Sequence, residues 1–274
     1  MPFIYGLEFI DSSSADHPMS TAQRREREFA AREKAILGHA RTMIREAGFL
    51  NLQMAELARR SEYATGTLYH HFRCKEDLLY MLATEGMQER QIMLRRVVDW
   101  DANSRDRMAA TGYADWLFVE AHPDHFRLEQ LVRAADIWMR ATPQVRESTM
   151  DYGEACARLV FGIVGDAARM GDLDLKDRTA QQIAFGFWTM SVGTHTMTHA
   201  EGLIERLDVR QPYVMLARNY QALLNALNWM PLQDPGDENA LHMFFERVHS
   251  ELFSDYPVPR WSGRKDESES QDDA

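Results

Sequence analysis

The chain has 274 residues, 45% apolar and 27% charged, with 31 Lys and Arg against 42 Asp and Glu for a net charge of −11. That is a globular composition of one or two domains with apolar residues enough for a core, and the acidic balance excludes a general nucleic-acid coat. No apolar run approaches the ~20 residues needed to cross a bilayer. Two cysteines, Cys74 and Cys156, lack CxxC spacing and make no disulfide framework, so a reducing cytoplasm is the expected location.

In chain order, residues 1–22 read as a disordered N-terminal extension; their short apolar run is interrupted by Glu8 and makes a poor secretion signal. Residues 23–74 read as a three-helix unit. Ile36, Ala40, Met43 and Ala47 mark one face of a helix over 23–47, with Gly48 as its stop. Two short helices follow at 54–60 and 65–71. Residues 75–255 continue as helix after helix: 75–98, 105–121, 123–141, 143–170, 177–199, 211–229 and 238–253. Pro123, Pro143 and Pro212 stand at first-turn positions, Thr142 and Asp208 at N-cap positions, and Gly171 at a stop. Residues 256–274 read as a disordered acidic tail. The fold class is all-α.

Charge is uneven along this chain. Residues 24–75 hold eleven basic and six acidic side chains, a net +5, which leaves −16 for the rest. A basic module on an acidic body still binds phosphate locally, because charges beyond ~8 Å are screened. The module contains "ATGTLYHHFRCKEDLL", residues 64–79, where Thr65, Gly66 and Thr67 open a helix that their propensities do not favour. Two short helices joined by "SEYA" and anchored by Leu57, Ala58, Leu68, Phe72, Leu78 and Leu79 suit a helix-turn-helix, in which the second helix enters the major groove. Small side chains there let backbone N–H groups approach phosphate, Tyr69 and His70 reach phosphates or base edges, and Lys75 adds a phosphate contact. His71 reads as structural, and Cys74 as an inert thiol.

The stretch "IREAGFLNLQMAELARRSEYATGTLYHHFRCKEDLL", residues 44–79, resembles the DNA-binding domain of the TetR family of bacterial regulators, with "GTLYHHF" and the following Lys75, Glu76, Leu78 and Leu79 as its most specific part. The resemblance implies an N-terminal helix-turn-helix domain followed by a helical ligand-binding and dimerisation domain. It also implies a homodimeric repressor released from a palindromic operator in double-stranded DNA by a small apolar or amphipathic effector. Thr65, Thr67, Tyr69 and His70 become DNA contacts, with Gly66, Ala64 and Gln53 at the same face and Lys75 on a phosphate. Three positions depart from the family pattern. Glu62 stands where Gly is usual in the turn and must take a positive φ or a different turn. Ala64 and Gln53 stand where Ser or Thr usually opens a helix.

In the body, "FGFWTMSVGTHTMTHAEGL", residues 185–203, gathers Phe185, Trp188, Met190, His195 and His199 on one helix. With Phe161 these form the expected ligand pocket, and the sixteen methionines suit a deformable one. His195 and His199 are four apart, a spacing that suits a metal but lacks the HExxH context. Packing or a hydrogen bond to an organic ligand is one reading of the pair, a metal- or haem-responsive regulator another, and a metal-dependent enzyme a third. With no nucleophile–base pair and no third ligand visible, no catalytic residue, cofactor or metal is assigned. A broad apolar stripe, Leu216, Tyr220, Leu223 and Leu227, is the expected dimerisation face.

Overall fold

Helices account for about three quarters of the computed structural model, which describes residues 20–259. The expected disorder of 1–22 and 256–274 falls largely outside these residues. Among the described residues there are twelve α-helices and no strand: α1 (Thr21–Ala47), α2 (Met54–Arg60), α3 (Thr65–His71), α4 (Lys75–Val98), α5 (Ser104–Ala121), α6 (Pro123–Val132), α7 (Ala135–Arg140), α8 (Pro143–Met170), α9 (Ala180–Thr198), α10 (Leu203–Arg206), α11 (Pro212–Ala226) and α12 (Glu238–Leu252). The chain divides into an N-terminal unit ending at His71 and a body beginning at Phe72, three residues before the expected boundary.

The N-terminal unit is built on the stripe Ile36, Leu37, Ala40, Met43 and Ile44 of α1, all buried, with Leu57 and Ala58 of α2 and Leu68 of α3 buried in turn. Gly48, at φ 79°, ends α1 as expected. Arg60 of α2 is clasped between Glu46 of α1 and Glu56 on its own helix, while Arg59 also pairs with Glu56. Hydrogen bonds from Arg59 and Arg60 hold the Glu56 carboxyl down at about 2.

The body is a bundle in which α4 lies against α5, α6 and α8, and α9 and α11 close over α5. Its core cluster runs from Met93 and Val97 through Trp116, Leu117 and Phe118 to Phe187, Trp229 and Phe245. Close approach is built in at Gly112, where a Cβ would stand 3.0 Å from the Tyr220 ring. Arg105 is fully buried with neutral acceptors: it donates to Trp229 O at 2.6 Å, Gln221 Oε1 at 2.8 Å and Asn225 Oδ1 at 2.8 Å, tying α5 to α11. Desolvation lowers its pKa to about 10.

Three expected elements change. The helix read over 123–141 is broken after Val132, where Arg133 and Ala134 leave the helix before α7. The helix at 211–229 starts at Pro212 with Gln211, not Asp208, in the cap position. Asp208 instead has φ 47°, just after the short α10. Thr142 caps α8 without its hydroxyl; its backbone N–H donates to Asp77 Oδ1 of α4 at 2.7 Å.

Candidate nucleic-acid interface and effector body

The turn between α2 and α3 is a Schellman cap. Tyr63 N–H donates to Ala58 O at 3.0 Å and Glu62 N–H to Arg59 O at 3.3 Å, so Glu62 occupies the left-handed position at φ 58°. Glycine is usual there because a Cβ strains this conformation. Glu62 therefore takes the positive-φ alternative. Ala64 precedes α3 and offers only its carbonyl, which accepts from Thr67 N–H at 2.8 Å. Gln53 likewise holds the N-cap of α2 without a side-chain bond.

Burial then sorts α3 into two faces. Leu68 is buried completely, while Ala64, Thr65, Gly66, Tyr69 and His70 are exposed and Thr67 is half-exposed. Gln53 is exposed as well. Tyr69 keeps 48% of its surface in water, a large aromatic area for a helix with no covering element of its own unit. His71 is held inward: its ring stacks on Phe29 at 3.9 Å and lies 3.7 Å from Glu33. Burial, then the nearby charges of His70 and Arg32, push its pKa down. Lys75 is the first residue of α4 in the body and half-buried, and desolvation pushes its pKa down.

The body does not gather the expected pocket residues into one site. Phe185 and Trp188 are 57% and 51% exposed and meet each other edge to face at 5.9 Å on the outer side of α9. Met190 and Phe161 are half-buried against the core. His195 is buried and turned into the bundle. The correction follows from packing, not from period: residues 188 and 195 are seven apart and fall on nearly the same flank of α9, but α5 and α11 cover His195 and leave Trp188 exposed. The expected dimerisation stripe is corrected in the same manner. Leu216 and Tyr220 are each 3% exposed, Leu227 is buried and Leu223 packs against the cluster, so this stripe fills the core of its own chain. The Tyr220 hydroxyl sits 2.8 Å from Ser191 Oγ of α9.

Around His195 the structure assembles a cluster that the His195–His199 spacing alone did not reveal. His195 Nε2 lies 2.8 Å from Asp115 Oδ2 of α5, and Nδ1 lies 3.3 Å from the Tyr213 hydroxyl of α11. Because a carboxylate only accepts, Nε2 carries the proton and donates. Asp115 also meets Arg90 Nε of α4 at 3.0 Å, and Arg90 Nη1 donates to Glu129 Oε2 of α6 at 2.8 Å. The guanidinium lies over the Phe118 ring, 4.3 Å from its centre. Burial opposes the Asp115 charge, but Arg90 and His195 outweigh it and hold the carboxyl at about 2. The same balance works on Arg90, where burial is outweighed by Glu129 and Asp115 and the pKa rises. Glu129 Oε1 is buried without a hydrogen-bond partner. Beside them burial lifts the Cys156 thiol to about 11.

With both ring nitrogens of His195 engaged, a metal would have to displace Asp115 or Tyr213, and His199 Nδ1 is turned to the His195 carbonyl at 2.9 Å. Among the described residues no group of three or more His, Cys, Asp or Glu is arranged to hold a metal ion. The missed signal lay in Arg90, Asp115 and Glu129, charged residues set at core positions of otherwise apolar helix faces.

Among the described residues no helix is long and apolar enough to cross a membrane. Residues 36–80 match the family model for bacterial regulatory proteins of the tetR family. No protein of curated function matches the chain. In fold the chain is similar to a protein of unknown function from Rhodococcus sp. RHA1, at 25% identity and TM-score 0.58 over 72% of this chain and 95% of that one. It is similar to a tetR-family regulatory protein from Rhodococcus RHA1, at 18% identity and TM-score 0.54 over 72% and 96%. It is also similar to the transcriptional regulator FadR of Bacillus subtilis in complex with stearoyl-CoA, at 17% identity and TM-score 0.53 over 73% and 99%. Residues 36–80, in the helix-turn-helix unit and the start of α4, thus match the N-terminal domain of the tetR family of bacterial regulatory proteins, and the chain shares the all-helical fold of tetR-family regulators.

Proposed function

We propose that this protein is a cytoplasmic homodimeric repressor that reads a palindromic operator and leaves it when a small apolar or amphipathic effector binds the body. The observation that carries the DNA part is the exposed face of α3: Thr65, Gly66, Tyr69 and His70 face water while Leu68 is buried. Gln53, Ala64 and Thr67 extend that face, and Lys75 stands four residues beyond α3. Tyr69 and His70 donate to phosphate or base edges, and Lys75 supplies a point charge.

A second copy covers the outer side of α9. Phe185 and Trp188 expose apolar surface there, and nothing lies within 4 Å of a Cβ placed at Gly193 of α9 or at Gly162 and Gly165 of α8. An apolar face with small residues suits helices packing against their own copies. Two α3 helices about one DNA turn apart then match a palindrome. For the effector, the cluster around His195 is the element that joins α9 and α11 to α4, the helix that follows the reading unit in sequence. A ligand favouring a different arrangement of these helices by ~1–3 kcal/mol changes DNA affinity about 5- to 150-fold.

One experiment tests the whole reading: selection of duplexes from a random pool by the full-length protein, with mass measured in solution. A palindromic winner is expected, bound by dimers. Tyr69→Ala keeps the dimer and loses at least about tenfold in affinity, ~1.4 kcal/mol, whereas Trp188→Glu gives monomers. Normal binding by Tyr69→Ala removes α3 from the interface. Release of the winner is then screened with apolar and amphipathic compounds, long-chain acyl-CoA among them because a fold neighbour carries one.

A further inference from the structure

Helix α1 begins at Thr21, fifteen residues ahead of the segment that matches the family model. Its first buried residue is Glu33, so the twelve residues from Thr21 to Arg32 run beyond the core of their unit, about 18 Å of helix at 1.5 Å per residue. This overhang is a formed helix with a complete capping box: Gln23 N–H donates to Ser20 Oγ at 3.2 Å, and Ser20 N–H donates to Gln23 Oε1 at 2.9 Å. A helix that buries so little of itself has no reason in the hydrophobic effect. Its charges are Arg24, Arg25, Arg27 and Arg32 against Glu26 and Glu28.

The place where the overhang leaves the unit is fixed by Phe29. That ring stacks on His71 at 3.9 Å and meets His70 edge-on at 5.8 Å, so the overhang starts at the C-terminal end of α3, next to Tyr69 and His70. Arg25 and Arg32 are seven residues apart and share one flank, two turns or about 10.5 Å along the axis. Arg25 and Arg32 are four before and three after Phe29, whose ring meets His70 and His71, which puts that flank on the α3 side. Arg27 and Lys34, also seven apart, lie about 200° round the helix from Arg25. Both Arg25 and Arg32 are exposed; Arg32 Nε donates to the Glu28 backbone carbonyl at 3.2 Å, and the Glu28 carboxylate lies 3.6 Å from Arg24.

We infer that Arg25 and Arg32 form a second phosphate-binding edge, which grips the DNA backbone beyond the segment read by α3. A spacing of ~10.5 Å corresponds to about three base steps along one strand. Such contacts carry no sequence preference, so they add affinity and lengthen the protected site without changing which bases are read. The inference rests on the DNA-binding reading above.

The test uses the full-length protein on its selected duplex, with affinity measured across a salt series. The double substitution Arg25→Ala with Arg32→Ala is expected to lower the log–log salt slope by about 2, at ~0.9 per phosphate contact, and to weaken binding about 10- to 100-fold near 0.1 M salt. The loss is the same on the operator and on a base-substituted duplex. Alanine favours the helix, so the fold is not threatened. Arg25→Lys with Arg32→Lys keeps the slope, because a point charge suffices for phosphate. Arg27→Ala with Lys34→Ala keeps it too. An unchanged slope in the Arg25–Arg32 double overturns the inference, and an equal loss in the Arg27–Lys34 double overturns the assignment to this flank. If the wild-type protein selects no duplex, the DNA reading fails and takes the inference with it.

Discussion

Two charged clusters in this molecule use the same ingredients with opposite consequences. In the N-terminal unit, Arg59 and Arg60 meet Glu46 and Glu56 with much of each side chain in water. In the body, Arg90 meets Asp115 and Glu129 with none of the three side chains more than 16% exposed, and His195 completes the set. Water screens the first cluster and is mostly excluded from the second. An exposed pair is a small, removable increment. A buried set is stable only when complete, because the loss of one member strands the others in a medium that does not solvate them.

The sharpest way to break this comparison is to remove one arginine from each cluster. Arg90→Ala leaves Asp115 and Glu129 buried without their cation and is expected to destabilise the protein by about 3–5 kcal/mol. That lowers the thermal midpoint by roughly 10 °C. Arg60→Ala, in the solvent-screened cluster, is expected to leave the thermal midpoint nearly unchanged. Equal losses in a thermal melt would remove the distinction between the clusters. Acid gives the same comparison without a mutation. The folded pKa of Asp115 is depressed to about 2 from the ordinary 3.8. Its contribution is therefore fully present above pH ~4 and lost as pH falls toward 2, on the order of 2 kcal/mol. Unfolding midpoints measured from pH 5 to pH 2 should show this loss, and Arg90→Ala should move it to higher pH. The smallest effect belongs to the turn. Glu62→Gly relieves a left-handed residue and is expected to stabilise by about 1 kcal/mol in urea unfolding. A destabilised variant would mean that the Glu62 side chain contributes more than its backbone costs.

The N-terminal unit was far more legible in the sequence than the body, for a physical reason. Its elements are short and local: the 3.6-residue stripe of α1, Gly48 as a stop and the loop at residues 61–64 each leave a mark within a few positions. Glu62 announced its own strain because glycine belongs in that turn. The body is organised by contacts between helices far apart in the chain. Asp115 and His195 are 80 residues apart, and Arg90 and Glu129 are 39 apart, so spacing along one helix suggested a His195–His199 pair where the structure puts each histidine to a different use. The stripe Leu216–Tyr220–Leu227 was visible as apolar, but which of two apolar helices turns its stripe inward is decided by packing. Helix α9 shows the point. It turns Ser191 and His195 inward, where hydrogen bonds satisfy them, and leaves Phe185 and Trp188 outside.

Helix α4 also has mechanical consequences. Near its C-terminal end Arg96 is bound to Asp255 and to the Leu252 carbonyl, and Arg90 is bound to α5 and α6, while Lys75 stands at the opposite end. The lever arm from Arg96 to Lys75 is about 32 Å at 1.5 Å per residue. A tilt of about 5° with Arg96 as fulcrum carries Lys75 through roughly 3 Å, by the same rise per residue. Because Arg90 lies only about 9 Å from the fulcrum, a shift of about 0.8 Å there is magnified about 3.5-fold at the far end. The body can therefore amplify a displacement too small to disturb its own packing.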